Sequence, residues 1–296
     1  MPITQPAPIS DRVIVPVVSD MHGGHINGLM NPATVLELED QLGNSYLYQP
    51  EMTEVQKYLW NILTDAVEKI TALAAGSPVV HLNTGDLVMG NKYLSELVRP
   101  EISAQVRIAF DNFIPLCRMP NTMALRLTRG TGAHEFGLGA ATSMILQLLR
   151  IAYPAIDIQS VQHGWATIGG LDIDYSHHGP GVGRRVWLEG NEVRYYLRDC
   201  MLRDIVSCGK PADVYIRGHV HAPVIETMRV AGHWATLIVM PSMMMGTEHT
   251  WQVTRSVPRI SNGIVALEIQ NGKLIEIHEY IQTQDLRTKE VIDVGS

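Results

Sequence analysis

The chain has 296 residues, of which 46% are hydrophobic, and it carries a formal net charge of −7. This length and composition suffice for a sizeable core, while the acidic balance argues against a broad nucleic-acid surface and no apolar run approaches the length of a membrane span. The first residues lack the charged and apolar regions of a signal peptide, so we expect one domain over residues 1–296 in the cytoplasm, without membrane contact.

The first half of the chain alternates apolar runs with stretches of helical spacing. The predicted elements here are strands at 13–19, 79–83 and 122–128 and helices at 53–75, 93–113 and 136–152. Pro100 marks a break in the second of these helices. Residues 27–50 are a polar insertion, and together with residues 91–120 they are predicted to form a cap over a site.

From residue 156 the hydrophobic period shortens toward two, which predicts short strands. The predicted elements are strands at 157–162, 165–168, 171–176, 214–217, 223–230, 234–240, 264–269 and 274–279 and a helix at 191–208. Asn271-Gly272 is the strongest hairpin signal. An α/β fold in which two mixed β-sheets pack face to face, with helices outside them, would accommodate all of these elements.

Aspartate and histidine residues follow directly after several of the predicted strands. The blocks are Asp20-Met21-His22, Gly85-Asp86, Gly132-Ala133-His134-Glu135, His177-His178-Gly179 and Gly218-His219-Val220-His221. A lone glycine-aspartate pair is typical of any turn that ends a strand, and a lone D-x-H is common in loops. Oxygen and nitrogen donors that converge from several strand ends are, however, typical of a metal site.

In this order the five blocks resemble the calcineurin-like metallophosphoesterase family, which comprises dinuclear metal phosphatases, phosphodiesterases and nucleases. The family pattern is D-x-H, G-D, G-N-H-D/E, H-G and G-H-x-H, and here it spans Asp20 to His221. Two positions depart from it. Ala133 stands where the family has a metal-binding asparagine, and Met89 stands where an aspartate or asparagine is common.

The resemblance implies the same α/β fold, with four layers in which two mixed β-sheets form a central sandwich flanked by helices. It also implies two divalent ions, with manganese preferred and iron, zinc, nickel or cobalt as alternatives. It implies that Asp86 bridges them and that a bridging hydroxide attacks phosphorus in line. His134 would be the general acid, oriented by Glu135 or another carboxylate. The ligands of the first ion would be Asp20, His22 and His221, and those of the second His178 and His219.

Several assignments stay open at this point. Ala133 predicts a weaker second metal site unless Thr131, a backbone carbonyl or water supplies the missing ligand. The following glycine favours His178 as ligand over His177, which is then expected next to the ligands or on the opposite side of the strand. His25 is predicted to be a solvated loop residue, with contact to substrate as the alternative.

Arg184 and Arg185 end a glycine-rich loop and are candidates for binding the oxygens of a substrate phosphate, because the guanidinium fork matches them. A solvated turn with surface arginines is the alternative. The run Met243-Met244-Met245 is predicted to pack near the rim of the site, since thioethers fill irregular gaps.

These observations predict a dinuclear metal-dependent phosphoesterase that hydrolyses a phosphomonoester or phosphodiester of a small molecule or nucleotide. One alternative is a metal-dependent DNA nuclease or exonuclease, which the acidic charge disfavours. The other is a non-catalytic binding module on the same fold, which the retained metal-ligating residues disfavour. The oligomeric state stays open.

Overall fold

Three β-sheets and four α-helices make up the part of the chain that the computed structural model describes, which is residues 12–183, 188–247 and 259–292. The strands are β1 (Arg12–Val18), β2 (Leu36–Glu39), β3 (Ser45–Tyr48), β4 (Val79–Asn83), β5 (Thr122–Thr128), β6 (Asp157–Val161), β7 (His163–Ile168), β8 (Leu171–Ser176), β9 (Val214–Arg217), β10 (Val224–Val230), β11 (His233–Val239), β12 (Arg259–Gln270) and β13 (Lys273–Asp285). The helices are α1 (Glu54–Ala74), α2 (Ile102–Cys117), α3 (Ala140–Ala152) and α4 (Asn191–Cys208).

Both of the larger sheets are mixed. The six-stranded sheet has the order β13-β12-β1-β4-β5-β6. Its strands β1, β4, β5 and β6 are parallel, and β12 is antiparallel to both of its neighbours, β1 and β13. The five-stranded sheet has the order β10-β11-β9-β8-β7, with a parallel centre and antiparallel edges. The strands β2 and β3 form a separate hairpin.

The two larger sheets pack face to face, and their central strands have apolar side chains on both faces. In β1, Val15 and Val17 lie between the sheets, whereas Ile14 and Val18 face the helices. Helices α1, α2 and α3 cover the outer face of the six-stranded sheet, and α4 covers the outer face of the other. This arrangement of helix, sheet, sheet and helix confirms the predicted four-layer α/β fold.

The sequence of helix α1 explains where this helix begins and which of its faces is buried. Thr53 and Gln56 form a capping box at its start, with Gln56 N donating to Thr53 Oγ1 (3.1 Å) and Thr53 N donating to Gln56 Oε1 (3.0 Å). A stripe with helical spacing is buried against the sheet, and it contains Leu59, Ile62, Leu63, Ala66 and Ile70. The amide of Gln56 also donates to His25 O (3.1 Å), so the start of α1 supports the loop after β1.

Several elements differ from their predicted bounds. Strand β12 begins five residues before the predicted strand 264–269, and β13 ends six residues after the predicted strand 274–279. The helix predicted at 93–113 begins only at Ile102, after Pro100, and is preceded by a short 3₁₀ turn at Leu94–Glu96. The helix predicted at 136–152 begins at Ala140, because Gly137 and Gly139 adopt positive φ angles of 108° and 79° that interrupt helical geometry. The hairpin of β2 and β3 lies in the segment predicted as a polar insertion.

The hairpin packs on a helix of the outer layer. Leu36 and Leu38 of β2 are buried against Ala104 and Ile108 of α2. That residues 27–50 and 91–120 cap the site stays a prediction. Within residues 12–183, 188–247 and 259–292, every helix is too short or too polar to cross a membrane.

Candidate metal centre

The loops after five strands meet at one edge of the sandwich. Those after β1, β4 and β5 carry Asp20, Asp86 and His134, and those after β8 and β9 carry His178 and His219. Because parallel strands present their carboxyl ends at the same edge, residues distant in sequence come together there. The structure thus gathers every predicted ligand, in groups whose candidate ligand atoms lie within 4.8 Å of one another.

Asp20, His22 and His221 form the first cluster. Asp20 Oδ1 lies 3.2 Å from His221 Nε2 and 3.9 Å from His22 Nε2. The two Nε2 atoms face each other at 3.3 Å. The other carboxylate oxygen, Asp20 Oδ2, accepts hydrogen bonds from Ser19 Oγ and from His219 N (3.1 Å). One oxygen is therefore fixed by the protein, and the other converges with two imidazole nitrogens, a donor set that fits a divalent transition metal.

Asp86 lies between the first cluster and a second group of histidines. Its Oδ2 is 3.1 Å from His177 Nε2 and 3.9 Å from both His22 Nε2 and His134 Nε2. Its Oδ1 accepts a hydrogen bond from Thr131 N (2.6 Å). One oxygen of this buried carboxylate is thus tied to the loop after β5, while the other is within reach of donors from both groups.

The second cluster contains His177, His178 and His219, whose ring centroids lie 4.7–5.0 Å apart. His178 and His219 are exposed at the rim. His177 is buried, and its Nδ1 donates to Thr84 O (2.7 Å), which turns Nε2 toward Asp86. The sequence predicts His177 next to the ligands or on the opposite side of the strand. Strand β8 ends at Ser176, so His177 and His178 lie beyond it, and the alternation of side chains along a strand does not apply to them.

His134 lies beside His22 and Asp86. Its Nδ1 donates to Met89 O (2.5 Å), and its ring packs edge-on against that of His22 with a centroid distance of 4.7 Å. The expectation that Glu135 orients this ring is wrong. The Glu135 carboxylate instead accepts hydrogen bonds from Gly130 N (2.9 Å) and from the hydroxyl of Thr142 (2.6 Å), which ties the loop to α3.

The charge balance of this site follows from its buried carboxylates. Burial opposes protonation of His177, but the adjacent Asp86 carboxylate raises the pKa of His177 to about 9. Burial likewise opposes protonation of His221, and Asp20 outweighs it, so the pKa of His221 is raised. Burial lowers the pKa of His22 well below its usual range. Two buried carboxylates thus attract positive charge to the site, and divalent ions would supply it.

The backbone at these positions is strained. The φ angles are 52° at Asp20, 44° at His22, 50° at Asp86, 72° at His219 and 59° at His221. Left-handed backbone costs a non-glycine residue about 1–2 kcal/mol and persists where the surrounding structure enforces it, often at functional sites. Most of the predicted ligands adopt it, which indicates that the fold fixes their directions at the expense of stability.

Glycines let the loops approach the donors closely. A Cβ atom at Gly130 would lie 2.1 Å from Asp86 Oδ1, and one at Gly85 would lie 2.6 Å from His177 Nδ1. Any side chain at either position would therefore displace a donor of the site.

Other residues singled out by the sequence lie in varied places. Arg184 and Arg185 fall outside the described residues. His25 is fully buried, with Nε2 donating to Glu96 Oε2 (2.9 Å) and Nδ1 accepting from Asn27 N (2.9 Å), so the prediction of a solvated residue is wrong. The run Met243–Met245 is buried, and Met243 N donates to Asp20 O (3.1 Å), which confirms packing beside the site.

No protein-family model matches the chain, and no curated protein matches it in sequence. Among solved structures, sulfate thiohydrolase SoxB of Thermus thermophilus, in complex with glycerol, is 13% identical over 95% of this chain with a TM-score of 0.38. The chain spans 58% of the length of that SoxB chain. Thermotoga maritima protein TM1076 is 14% identical over 57% of this chain and 84% of its own, with a TM-score of 0.28. Likenesses of this extent do not identify a family.

Proposed function

We propose that the chain is a dinuclear metal-dependent phosphoesterase of the calcineurin-like kind. The observation that carries this proposal is the position of Asp86 between two groups of histidines, with one carboxylate oxygen facing both. A shared anionic ligand of this kind fixes the separation of two divalent ions and offsets their repulsion.

We assign each ion a set of donors from the chain. Asp20, His22 and His221 would hold the first ion and His177 and His219 the second, with Asp86 shared and His178 at the rim. Carboxylates and neutral imidazoles suit manganese, iron, zinc, nickel and cobalt, and we propose manganese. Two such ions, when bound, would acidify a water molecule and offset the charge on phosphoryl oxygens.

The residues around the ions would bind, orient and move protons. His134 would act as general acid, because its Nδ1–H is held by Met89 O while its Nε2 faces the site. Protonated at Nε2, the ring would donate a proton to the departing ester oxygen. The side chain of His134 is 16% exposed, so it can exchange protons with water after each turnover.

The substrate class we propose is a phosphomonoester or phosphodiester of a small molecule or nucleotide. Arg184 and Arg185 stay our candidates for contact with its phosphate, because a guanidinium fork matches phosphate oxygens.

The test is hydrolysis of chromogenic phosphomonoester and phosphodiester substrates by metal-stripped protein refilled with Mn²⁺. We expect metal-dependent turnover that falls about 100-fold or more in His134→Ala, because general acid catalysis contributes at least that much. His278→Ala is the matched control, since His278 pairs with Glu268 on β12 and is absent from the site.

Two outcomes would contradict the proposal. Bound Mn²⁺ without turnover on either substrate would favour a binding module, and cleavage confined to DNA ends would favour the nuclease. Equal turnover in His134→Ala, with unchanged metal content, would contradict only the role of His134 as general acid and would leave the metal-dependent activity in place.

A further inference from the structure

The hydroxyl of Thr131 lies among the donors of the second cluster. Thr131 Oγ1 is 3.1 Å from His177 Nε2, 3.3 Å from His219 Nδ1 and 3.4 Å from Asp86 Oδ2. These three neighbours come from the loops after β8, β9 and β4, so the hydroxyl stands where separate parts of the chain converge.

The spacing of these atoms matches that of ligands around one ion. Donors that bind a divalent ion at about 2.1 Å in neighbouring octahedral positions lie roughly 3.0 Å from one another. The three distances from Thr131 Oγ1, which are 3.1–3.4 Å, are close to this spacing.

The Thr131 hydroxyl is not used to cap the 3₁₀ turn that follows it. Thr131 precedes the 3₁₀ turn Gly132–His134 in the N-cap position, yet its side chain makes no capping hydrogen bond. A threonine at an N-cap ordinarily uses its hydroxyl for that bond. The loop is instead anchored through the backbone, because Thr131 N donates to Asp86 Oδ1 (2.6 Å) and Gly130 N to Glu135 Oε1 (2.9 Å).

Ala133, in the same turn, leaves the second cluster without an amide oxygen. Its side chain is exposed, and a methyl group offers no ligand atom. An oxygen donor from this loop can therefore come from a side chain only at a neighbouring position, and Thr131 is the residue whose oxygen faces the histidines.

We propose that the Thr131 hydroxyl is a ligand of the second metal ion, together with Asp86, His177 and His219. This inference rests on the proposed two-metal function. A neutral hydroxyl adds no charge to offset that of the ion, so the second ion is held more weakly than the first, which has the Asp20 carboxylate to itself.

The experiment is titration of metal-stripped protein with Mn²⁺, in which free Mn²⁺ is followed by electron paramagnetic resonance. The variants are Thr131→Val, which removes the hydroxyl but keeps the shape, and Thr131→Ser, which keeps the hydroxyl. We expect two binding events in the unaltered protein and in Thr131→Ser, and a second event weakened about 10-fold or more in Thr131→Val. The first event is an internal control for folding, because Asp20, His22 and His221 make no hydrogen bond with the Thr131 side chain.

Each outcome separates this inference from the proposed function. Two events of unchanged affinity in Thr131→Val would overturn the role of Thr131 and leave the two-metal function standing. Fewer than two events in the unaltered protein would overturn the two-metal function itself. If Thr131→Val loses the first event as well, Thr131→Ala decides: a weakened second event beside a normal first event supports the inference, and two normal events overturn it.

Discussion

At the residue scale, the two histidines after β8 have unlike surroundings. His177 is buried, with Nδ1 committed to Thr84 O and Nε2 directed at Asp86, whereas His178 is exposed. A backbone carbonyl that holds one ring nitrogen is the usual device for fixing the tautomer and direction of a metal-binding histidine. The environment therefore favours His177 as the stronger ligand, although the glycine that follows His178 favoured the other assignment from sequence.

This difference predicts unequal effects of the same substitution. We expect His177→Gln to weaken the binding of one of two Mn²⁺ ions by about 10-fold or more, because a fixed imidazole donor is lost. His178→Gln should weaken it less, since an exposed side chain is not held in place. Isothermal titration calorimetry of both variants with Mn²⁺ measures this, and a larger loss in His178→Gln would reverse the assignment.

At the element scale, the bounds of some strands and helices were predicted from the sequence, whereas the hairpin of β2 and β3 was not among the predicted elements. The strands Val79–Asn83, Thr122–Thr128 and Leu171–Ser176 and the helix Asn191–Cys208 have their predicted bounds, because apolar periodicity and glycine or proline stops agree there. The hairpin of β2 and β3 was missed because its stability depends on contact with α2, which local sequence does not report.

The candidate site was predictable to a similar extent. Aspartate and histidine after apolar strands indicated which side chains would meet, and the structure brings them together. The contribution of Met89 could not be predicted, because it is a backbone carbonyl that any residue would offer. The direction of the Thr131 hydroxyl likewise depends on the fold of the 3₁₀ turn and not on residue type.

Helix α2 supports the site through one buried side chain. Gln105 Oε1 accepts from Gly90 N (2.9 Å), and Gln105 Nε2 donates to Gly90 O (2.9 Å), so both polar groups of that residue are held. The preceding residue is Met89, whose carbonyl holds His134. Gln105 thus acts on His134 through the loop after β4 as a positioning residue.

Replacing Gln105 with leucine should therefore impair turnover without affecting metal binding. We expect Gln105→Leu to lower kcat on a chromogenic phosphoester about 10-fold or more, since small displacements of a catalytic group are costly, with both Mn²⁺ affinities retained. Gln159→Leu is the matched control, because the side chain of Gln159 is exposed on β6 and donates to Asp157 Oδ1 (2.9 Å), away from the candidate site. Parallel losses of kcat and Mn²⁺ affinity in Gln105→Leu would mean that Gln105 supports the whole site and not His134 in particular.

At the scale of the whole molecule, the candidate site depends on how the two sheets pack. Asp20 and Asp86 follow strands of the six-stranded sheet, whereas His177 and His219 follow strands of the five-stranded sheet. The apolar interior between the sheets therefore sets the distance between donors that follow strands of different sheets. Loss of that packing would disperse the site even if every ligand were present.

A buried ion pair secures the five-stranded half of this arrangement. Arg217, the last residue of β9, is 1% exposed and lies 2.5 Å from Asp174 Oδ1 of β8, while Asp174 Oδ2 also pairs with His163 (2.7 Å). Burial alone would raise the pKa of Asp174, but the hydrogen bond from His163 and the charge of Arg217 lower it. Only Gly218 separates Arg217 from His219 in the chain. The ion pair therefore fixes the end of β9, from which the loop with His219 begins.

We expect Asp174→Asn to lower the free energy of unfolding by about 3–5 kcal/mol at pH 7, because it leaves the Arg217 charge buried without its carboxylate. A lowered pKa in the folded state means that Asp174 stabilises the fold above its unfolded pKa of about 3.9 and that this contribution is lost as the pH falls through the folded value. The difference between the two proteins should therefore shrink in acid, as urea unfolding at pH 7 and at about pH 3 would measure.

Asp285→Asn is the control, since Asp285 pairs with Arg287 at an exposed position and should show no comparable loss. A difference that stays constant with pH would mean that the carboxylate charge of Asp174 does not hold Arg217 in the folded protein.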